Sequence, residues 1–195
     1  STLVLRDLDI LSPMAERGLV TVGLSVTTLN GELARTLDPR AATPAKRLKA
    51  IQKLSNARVP AFCLAAPMIP GLNDHELEAI VEAAAINGAS GASYVLLRLP
   101  LEIKDLFIEW LKNRQPARAS KVLSMIRDCW GGSFYISDWG TRQRGVGPYA
   151  TLLEARMNRL RKRFNLINAE RPAEFRLTTK LFRPPPQVGD QLQLL

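Results

Sequence analysis

Three short segments hold the residue types that could do chemistry here. They are Ser25-Val26-Thr27-Thr28, the run Pro67-Met68-Ile69-Pro70-Gly71-Leu72-Asn73-Asp74, and Leu97-Arg98-Leu99-Pro100. Each closes an apolar stretch, and parallel β/α folds put their ligands at the carboxyl ends of such strands. Hydroxyls for a ribose and apolar walls for a base suit a nucleoside-like ligand. Ser and Thr at a strand end serve equally as turn formers, so spacing alone leaves both readings open. A further segment, the Gly/Arg loop from Gly140 to Gly147, either holds a phosphate or carboxylate or only joins two elements.

Other chemistries lack their residues. His75 is the only histidine, and a protein-built zinc site needs about four N/S ligands. A histidine-dependent acyl-transfer triad would rest on His75 alone, and no G-x-S-x-G elbow is present. Cys63 and Cys129, the two cysteines, are too few and too distant for a disulfide framework. Cys63 falls in an apolar strand and Cys129 closes a helix beside Trp130, so both read as packing residues. Asn73 or Asp74 reads as a helix N-cap, with His75 facing solvent in the first turn. No residue is assigned as catalytic or as a metal ligand.

The elements that must position these segments alternate through the first half. Leu3-Val4-Leu5 is ambiguous; Asp7 then precedes Leu8, Leu11 and Ala15, spaced for a helix that ends at Gly18. Leu19 to Thr28 is β-branched and almost continuously apolar, as in a parallel strand buried on both faces. Thr43-Pro44 is an N-cap and first-turn signature for a helix to about Arg58. A second strand runs from Val59 to Ala66 and breaks at Pro67, with Pro70-Gly71 as a turn. A helix carrying Leu77, Ile80, Val81 and Ala84 stops at Gly88, a third strand spans Ala92 to Leu99, and a helix covers about 102–114. Three strands, each flanked by helices, are the pattern of right-handed βαβ units.

After Pro116 the alternation ends. Residues 117–130 read as helix, Ser133-Phe134-Tyr135-Ile136 as a short strand, and Pro148 opens a long helix. Its buried stripe is Leu152, Leu153, Met157, Leu160 and Phe164, opposite a face of Arg156, Arg159, Arg161, Lys162 and Arg163. Periodicity is lost from Asn165, and Pro184-Pro185-Pro186 fixes an extended segment.

The chain has 195 residues and a formal charge of +9, with 46% hydrophobic residues, the composition of a folded domain. A complete eight-stranded β/α barrel needs roughly 250 residues. No apolar run reaches the ~20 residues of a membrane span, so no membrane partner is expected. The start lacks the features of a signal peptide, which together with reduced thiols points to the cytoplasm. The charge is uneven: residues 1–111 hold 11 Lys+Arg and 12 Asp+Glu, whereas residues 112–183 hold 16 and 5. A basic half of that size either attracts nucleic acid or is a solvated helical face.

Several segments taken in order carry a resemblance to a known family. They are Leu3 to Leu11, Ser25-Val26-Thr27-Thr28, Asp38-Pro39-Arg40-Ala41-Ala42-Thr43-Pro44, Ala66 to Asp74, and Tyr94 to Pro100. Gly140-Thr141-Arg142, Gly145 to Tyr149 and Gln191-Leu192 extend the series. Together they resemble radical SAM proteins, the group placed with spore photoproduct lyase. That resemblance implies a partial β/α barrel binding a [4Fe–4S] cluster and S-adenosylmethionine (SAM), and forming a 5′-deoxyadenosyl radical. It makes the three strands the fourth to sixth of the barrel, followed by a mostly helical carboxyl-terminal extension. Ser25 and Thr27 then fall where the family contacts the ribose and methionine portions of SAM. The family's G-x-I-x-G-x-x-E pattern falls on Pro67, Ile69, Gly71 and Asp74. Ile69 and Gly71 match, whereas Pro67 replaces Gly and Asp74 replaces Glu. Leu97 and Arg98 would offer backbone to the adenine edge.

The family's cluster motif, C-x-x-x-C-x-x-C, does not occur in this sequence, and thiolates are the usual Fe–S ligands. The start without Met and the absent motif lead to the expectation of a carboxyl-terminal portion of a larger enzyme, inactive alone, with an unknown substrate. The alternative is a nucleic-acid-binding or scaffold module using residues 112–183. The expected organisation is a partial barrel over 1–114, a basic helical extension over 115–166, and a Pro-containing tail over 167–195.

Overall fold

The computed structural model describes residues 2–138, 141–168 and 177–185. A 3-10 turn over Thr2–Asp7 leads into α1 (Leu8–Glu16). The order continues β1 (Val22–Ser25), α2 (Gly31–Leu37), α3 (Pro44–Asn56), β2 (Ala61–Met68), α4 (Leu77–Ile86) and β3 (Gly91–Leu96). Then follow α5 (Glu102–Arg114), α6 (Pro116–Cys129), α7 (Gly147–Phe164) and β4 (Ile167–Asn168). The four strands form one sheet in the order β1-β2-β3-β4, every neighbouring pair parallel. This is an α/β fold with a parallel sheet, consistent with a partial β/α barrel.

The β-branched and small apolar residues of the strands make the central layer. Along β2, Ala61, Cys63 and Ala65 are buried while Phe62, Leu64 and Ala66 are only partly covered. The buried set faces the helices: α3 lies against β1 and β2, α4 against β2, and α7 against β3 and α4. The opposite face, with Gly23, Ser25, Phe62, Leu64 and Val95, stays half-open. Helices on one face with a partly open second face are the layering of a barrel segment rather than of a doubly wound sheet.

Several boundaries differ from the sequence reading. The first strand is only Val22–Ser25, although the Val26 N–H beyond it still donates to the Leu64 carbonyl at 2.8 Å. Leu3-Val4-Leu5 is 3-10 helix. The second strand continues through Pro67 to Met68, with a register shift between Ala65 and Met68 that accommodates a residue without an N–H. The sequence reading omitted α2, whose start is fixed by Asn30 accepting from the Glu32 and Leu33 N–H groups. It also omitted β4, two residues too short for a periodic signal. Ser133 to Ile136 forms no strand; Phe134 only offers its carbonyl to the Leu99 N–H at 3.0 Å.

The helices after β3 fall into two groups. The α5–α6 pair lies over the carboxyl ends of the strands. Trp110 Nε1 donates to the Thr36 carbonyl at the end of α2 (2.9 Å), and Trp130 Nε1 donates to the Leu97 carbonyl beyond β3 (2.8 Å). Helix α7 packs on α4, with Arg156 bonded to Glu78 at 2.6 and 2.8 Å and Arg163 3.7 Å from Glu82. Two stripe positions of α7 are exchanged relative to expectation. Leu152 is 52% exposed, and Arg161 is 7% exposed with its Nε donating to the Ala92 carbonyl at 2.9 Å. Arg161 projects toward β3, where a strand carbonyl needs a donor; Leu152 lies on the solvent side of α7. No helix among the described residues is long and apolar enough to cross a membrane.

Arg161 therefore belongs to the packing rather than to a solvated face. Arg161→Leu should lower stability by about 1–3 kcal/mol by leaving the Ala92 carbonyl without its donor, whereas Arg159→Leu should stay within about 0.5 kcal/mol. Urea denaturation of both variants measures the contrast.

Candidate functional site

The carboxyl end of β1 is organised by the first turn of α3. Thr43 accepts from the Lys46 N–H (3.4 Å) and Pro44 fills the first turn. Arg47, one turn in, thereby reaches β1: its Nη1 donates to the Ser25 carbonyl at 2.7 Å and its Nε to the Ala42 carbonyl at 3.0 Å. Asp38 lies 3.7 Å from Nη2, and the Arg47 side chain is 16% exposed. Arg47 and Thr27 line one largely apolar hollow with Val26, Ala34, Leu37 and Pro44. The Thr27 hydroxyl donates to the Ala66 carbonyl at 2.8 Å, linking the ends of β1 and β2. Thr28 donates to Glu76 (2.6 Å) and accepts from the Asn30 N–H, while the Leu29 N–H donates to the other Glu76 oxygen (2.6 Å).

Asn73 connects these strand ends. It is fully buried; its Oδ1 accepts from the Ile69 N–H at 2.6 Å, and its Nδ2 donates to the Thr27 carbonyl at 2.7 Å and the Pro67 carbonyl at 3.0 Å. The expectation of an Asn73 or Asp74 N-cap is corrected here. Neither side chain caps α4, which is entered through a 3-10 turn at Asp74–Glu76. The amide is drawn inward because three backbone groups around the β2 loop have no ladder partner. Asp74 accepts a hydrogen bond from the Tyr149 hydroxyl. Burial and the Asp74 carboxylate together push the Tyr149 phenol upward, and Arg156 holds the Glu78 carboxyl below its usual range.

The six residues singled out as SAM contacts are distributed as follows. Ser25 and Thr27 stand at the β1 end, beside Arg47. Ile69 is fully buried beneath the Asn73 clasp. Gly71 adopts φ +75°, and a Cβ there would sit 3.1 Å from Met125 Sδ and 3.5 Å from Val122 Cγ2, so its close approach is to α6. The Leu97 N–H donates to the Met68 carbonyl at 2.9 Å and its carbonyl receives Trp130, so its backbone is already bonded on both sides. Arg98 is half-buried beyond β3. Ser25, Thr27, Ile69 and Leu97 thus run across adjacent strand ends, while Gly71 turns outward under α6. In the Gly/Arg loop, Trp139 and Gly140 lie outside the described residues, as do Pro186, Gln191 and Leu192 of the tail. Arg144 of that loop stacks on the Tyr94 ring at 4.3 Å and donates to the Ser93 hydroxyl at 3.2 Å. His75 is exposed, as the sequence implied.

Arg47 was not singled out from the sequence. Its signal was available: four residues beyond an N-cap Thr, an arginine at the helix start faces the preceding strand. Asn73 was noticed but given the wrong partner, since burial of an amide cannot be read from spacing.

The cysteines do not form a ligand set. Burial pushes the Cys63 thiol up to about 12 and the Cys129 thiol up to about 11, the latter also through nearby Asp128 and Asp74. They sit on β2 and at the end of α6, and among the described residues no group of three His, Cys, Asp or Glu could hold a metal. This donor set does not fit a [4Fe–4S] cluster. At the β1–β2 ends a hydroxyl, a cation and apolar walls share one hollow.

The family model of the Radical SAM superfamily matches residues 1–84, the segment that contains β1, β2 and nearly all of α4. An uncharacterized protein of Mycobacterium bovis is 26% identical over 174 residues, covering 88% of this chain and 47% of its own length. Uncharacterized proteins of two Mycobacterium tuberculosis strains match with the same identity and coverage. The chain thus spans about half the length of the curated relatives it matches. No solved structure gives a significant match.

Two outcomes follow from this geometry. Asn73→Ala should cost about 2–4 kcal/mol, since buried donors and acceptors lose their partner; Asn73→Asp, which keeps the acceptor but loses the donor, should also destabilise, and thermal melts would measure both. Neither cysteine should react with a disulfide reagent at pH 8 in the folded protein, and both should react in guanidinium. Because the folded thiols ionise above the unfolded value of 9.0, their contribution is complete below that pH and is lost as pH rises toward 11 and 12.

Proposed function

We propose that this chain is the carboxyl-terminal portion of a radical SAM enzyme of the spore photoproduct lyase-like group, contributing the SAM-binding strand ends of its barrel. The superfamily match over residues 1–84 carries this reading, because the matched segment holds Ser25, Thr27, Arg47, Ile69 and Gly71. Strands β1 to β3 are the fourth to sixth of that barrel. In radical SAM chemistry the cofactors supply a 5′-deoxyadenosyl radical that removes a hydrogen atom from a substrate, here unknown. The thiolates for the [4Fe–4S] cluster come from outside this chain, which by itself is inactive.

The chain's own residues bind and orient. The Thr27 hydroxyl, donating to Ala66, keeps lone pairs to accept from a ribose hydroxyl. Arg47, held by the Ser25 and Ala42 carbonyls in a largely apolar hollow, offers a guanidinium to a ligand carboxylate. Asn73 fixes the spacing between the Thr27 and Ile69 backbones, and so positions the two strand ends relative to each other.

S-adenosylhomocysteine is the probe, since it needs no cluster to stay intact. Calorimetric titration should detect binding to the chain, and Thr27→Val and Arg47→Gln should each weaken it by about tenfold, or about 1.4 kcal/mol. Absence of binding, or binding indifferent to both substitutions, would reject the reading. Anaerobic reconstitution with iron and sulfide should leave the chain colourless; a brown protein that turns over SAM would reject the external-ligand assignment.

A further inference from the structure

The hollow at the β1 end is smaller than the ligand proposed for it. It encloses about 40 Å³, room for about three waters, whereas small-molecule sites run to about 300–1,000 Å³. One side is β1 and α3, through Val26, Thr27 and Arg47; the other is α2, through Ala34, Arg35 and Leu37. Any occupant larger than a few waters therefore needs one side to give way.

The side that can give is α2. Strand β1 is held in the ladder by β2, and α3 packs on β1, β2 and the Thr2–Asp7 turn. Helix α2 is seven residues long with Leu33 as its buried residue, and among the described residues no helix or strand packs broadly against it. A helix that short is unstable by itself in water, so its place depends on the ties at its ends. At the entrance, the Glu76 carboxylate accepts from the Thr28 hydroxyl and from the Leu29 N–H, both at 2.6 Å. At the exit, Trp110 Nε1 donates to the Thr36 carbonyl at 2.9 Å. Asp38, just beyond α2, adds a looser link to Arg47 at 3.7 Å. Pro39 and Arg40, which follow, are exposed.

We propose that α2 is a hinged cover over this hollow, and that Glu76 and Trp110 are the positioning residues that hold it shut. The two ties come from separate elements, the turn before α4 and helix α5. Breaking either one frees one end of α2 while β1, α3 and Arg47 stay in place. The Glu76 tie is the stronger, because hydrogen bonds to a charged acceptor outweigh neutral ones. What enters the opened hollow rests on the SAM reading above; the movement of the cover does not, and is measured without ligand.

The test uses the whole chain and backbone amide hydrogen exchange read by mass spectrometry. In the unliganded chain the amides of α2 should exchange at least about tenfold faster than those of α3. Trp110→Phe, which keeps an aromatic ring but loses the N–H, should speed α2 exchange about fivefold, and Glu76→Gln about tenfold. Glu78→Gln removes a carboxylate that bonds Arg156 of α7 instead, and should leave α2 exchange within about twofold. The α3 amides should not change in any variant. S-adenosylhomocysteine then probes entry by surface plasmon resonance. Both tie variants should speed its association by the same factors as the exchange, since a cover that opens more often admits the ligand more often. If S-adenosylhomocysteine does not bind, the SAM reading fails and the exchange comparison decides the cover. Protection of α2 equal to that of α3, unchanged exchange in both tie variants, equal loosening in Glu78→Gln, or ligand association at an unchanged rate would overturn it.

Discussion

The buried amide of Asn73 is the contact on which the carboxyl ends of β1 and β2 depend. Parallel strands diverge where their ladder ends, and the chain leaving β2 must turn while its backbone groups are still shielded from water. A single side chain with both a donor and an acceptor resolves this, taking the Ile69 N–H and serving the Thr27 and Pro67 carbonyls. Thr27 adds its own bond to Ala66. The two strand ends are thereby locked at a spacing that neither strand could hold alone. Thr27 and the Ile69 backbone inherit their positions from that lock.

Around it the helices divide the electrostatic work. Helix α7 carries Arg156, Arg161 and Arg163 toward α4 and β3, where Glu78, the Ala92 carbonyl and Glu82 receive them. Those pairs are partly exposed and individually weak, but they fix which side of α7 faces the sheet. The α5–α6 pair is attached instead by apolar packing and by two indole N–H groups, from Trp110 and Trp130. On that pair Lys104 lies 3.6 Å from Asp105, and Arg114, Arg118 and Lys121 form no ion pair among the described residues. The basic half thus holds cations that serve packing, such as Arg156 and Arg161, beside exposed ones on every helix after β3, Arg159 and Lys162 of α7 among them.

The cysteines show why residue type alone misleads. Both thiols are buried and pushed toward higher pKa, the opposite of what thiolate ligands require. The likeness to the Radical SAM superfamily covers residues 1–84. The chain spans about half the length of the mycobacterial relatives it matches.

Much of the scaffold was legible from local rules. Thr43-Pro44 announced α3, Gly88 closed the α4 region, and alternating apolar runs announced parallel strands, because caps, glycine stops and periodicity are written in neighbouring residues. The hydroxyls at the strand ends were legible for the same reason. Tertiary structure alone decided the rest. Arg47 became a partner of Ser25, Asn73 a clasp instead of a cap, Arg161 a buried donor, and Gly71 a contact for α6. Each of these depends on a backbone group or side chain more than three residues away in sequence. Periodicity specifies which face a residue occupies, whereas the unpaired carbonyl or amide that claims it exists only after the strands and helices have packed.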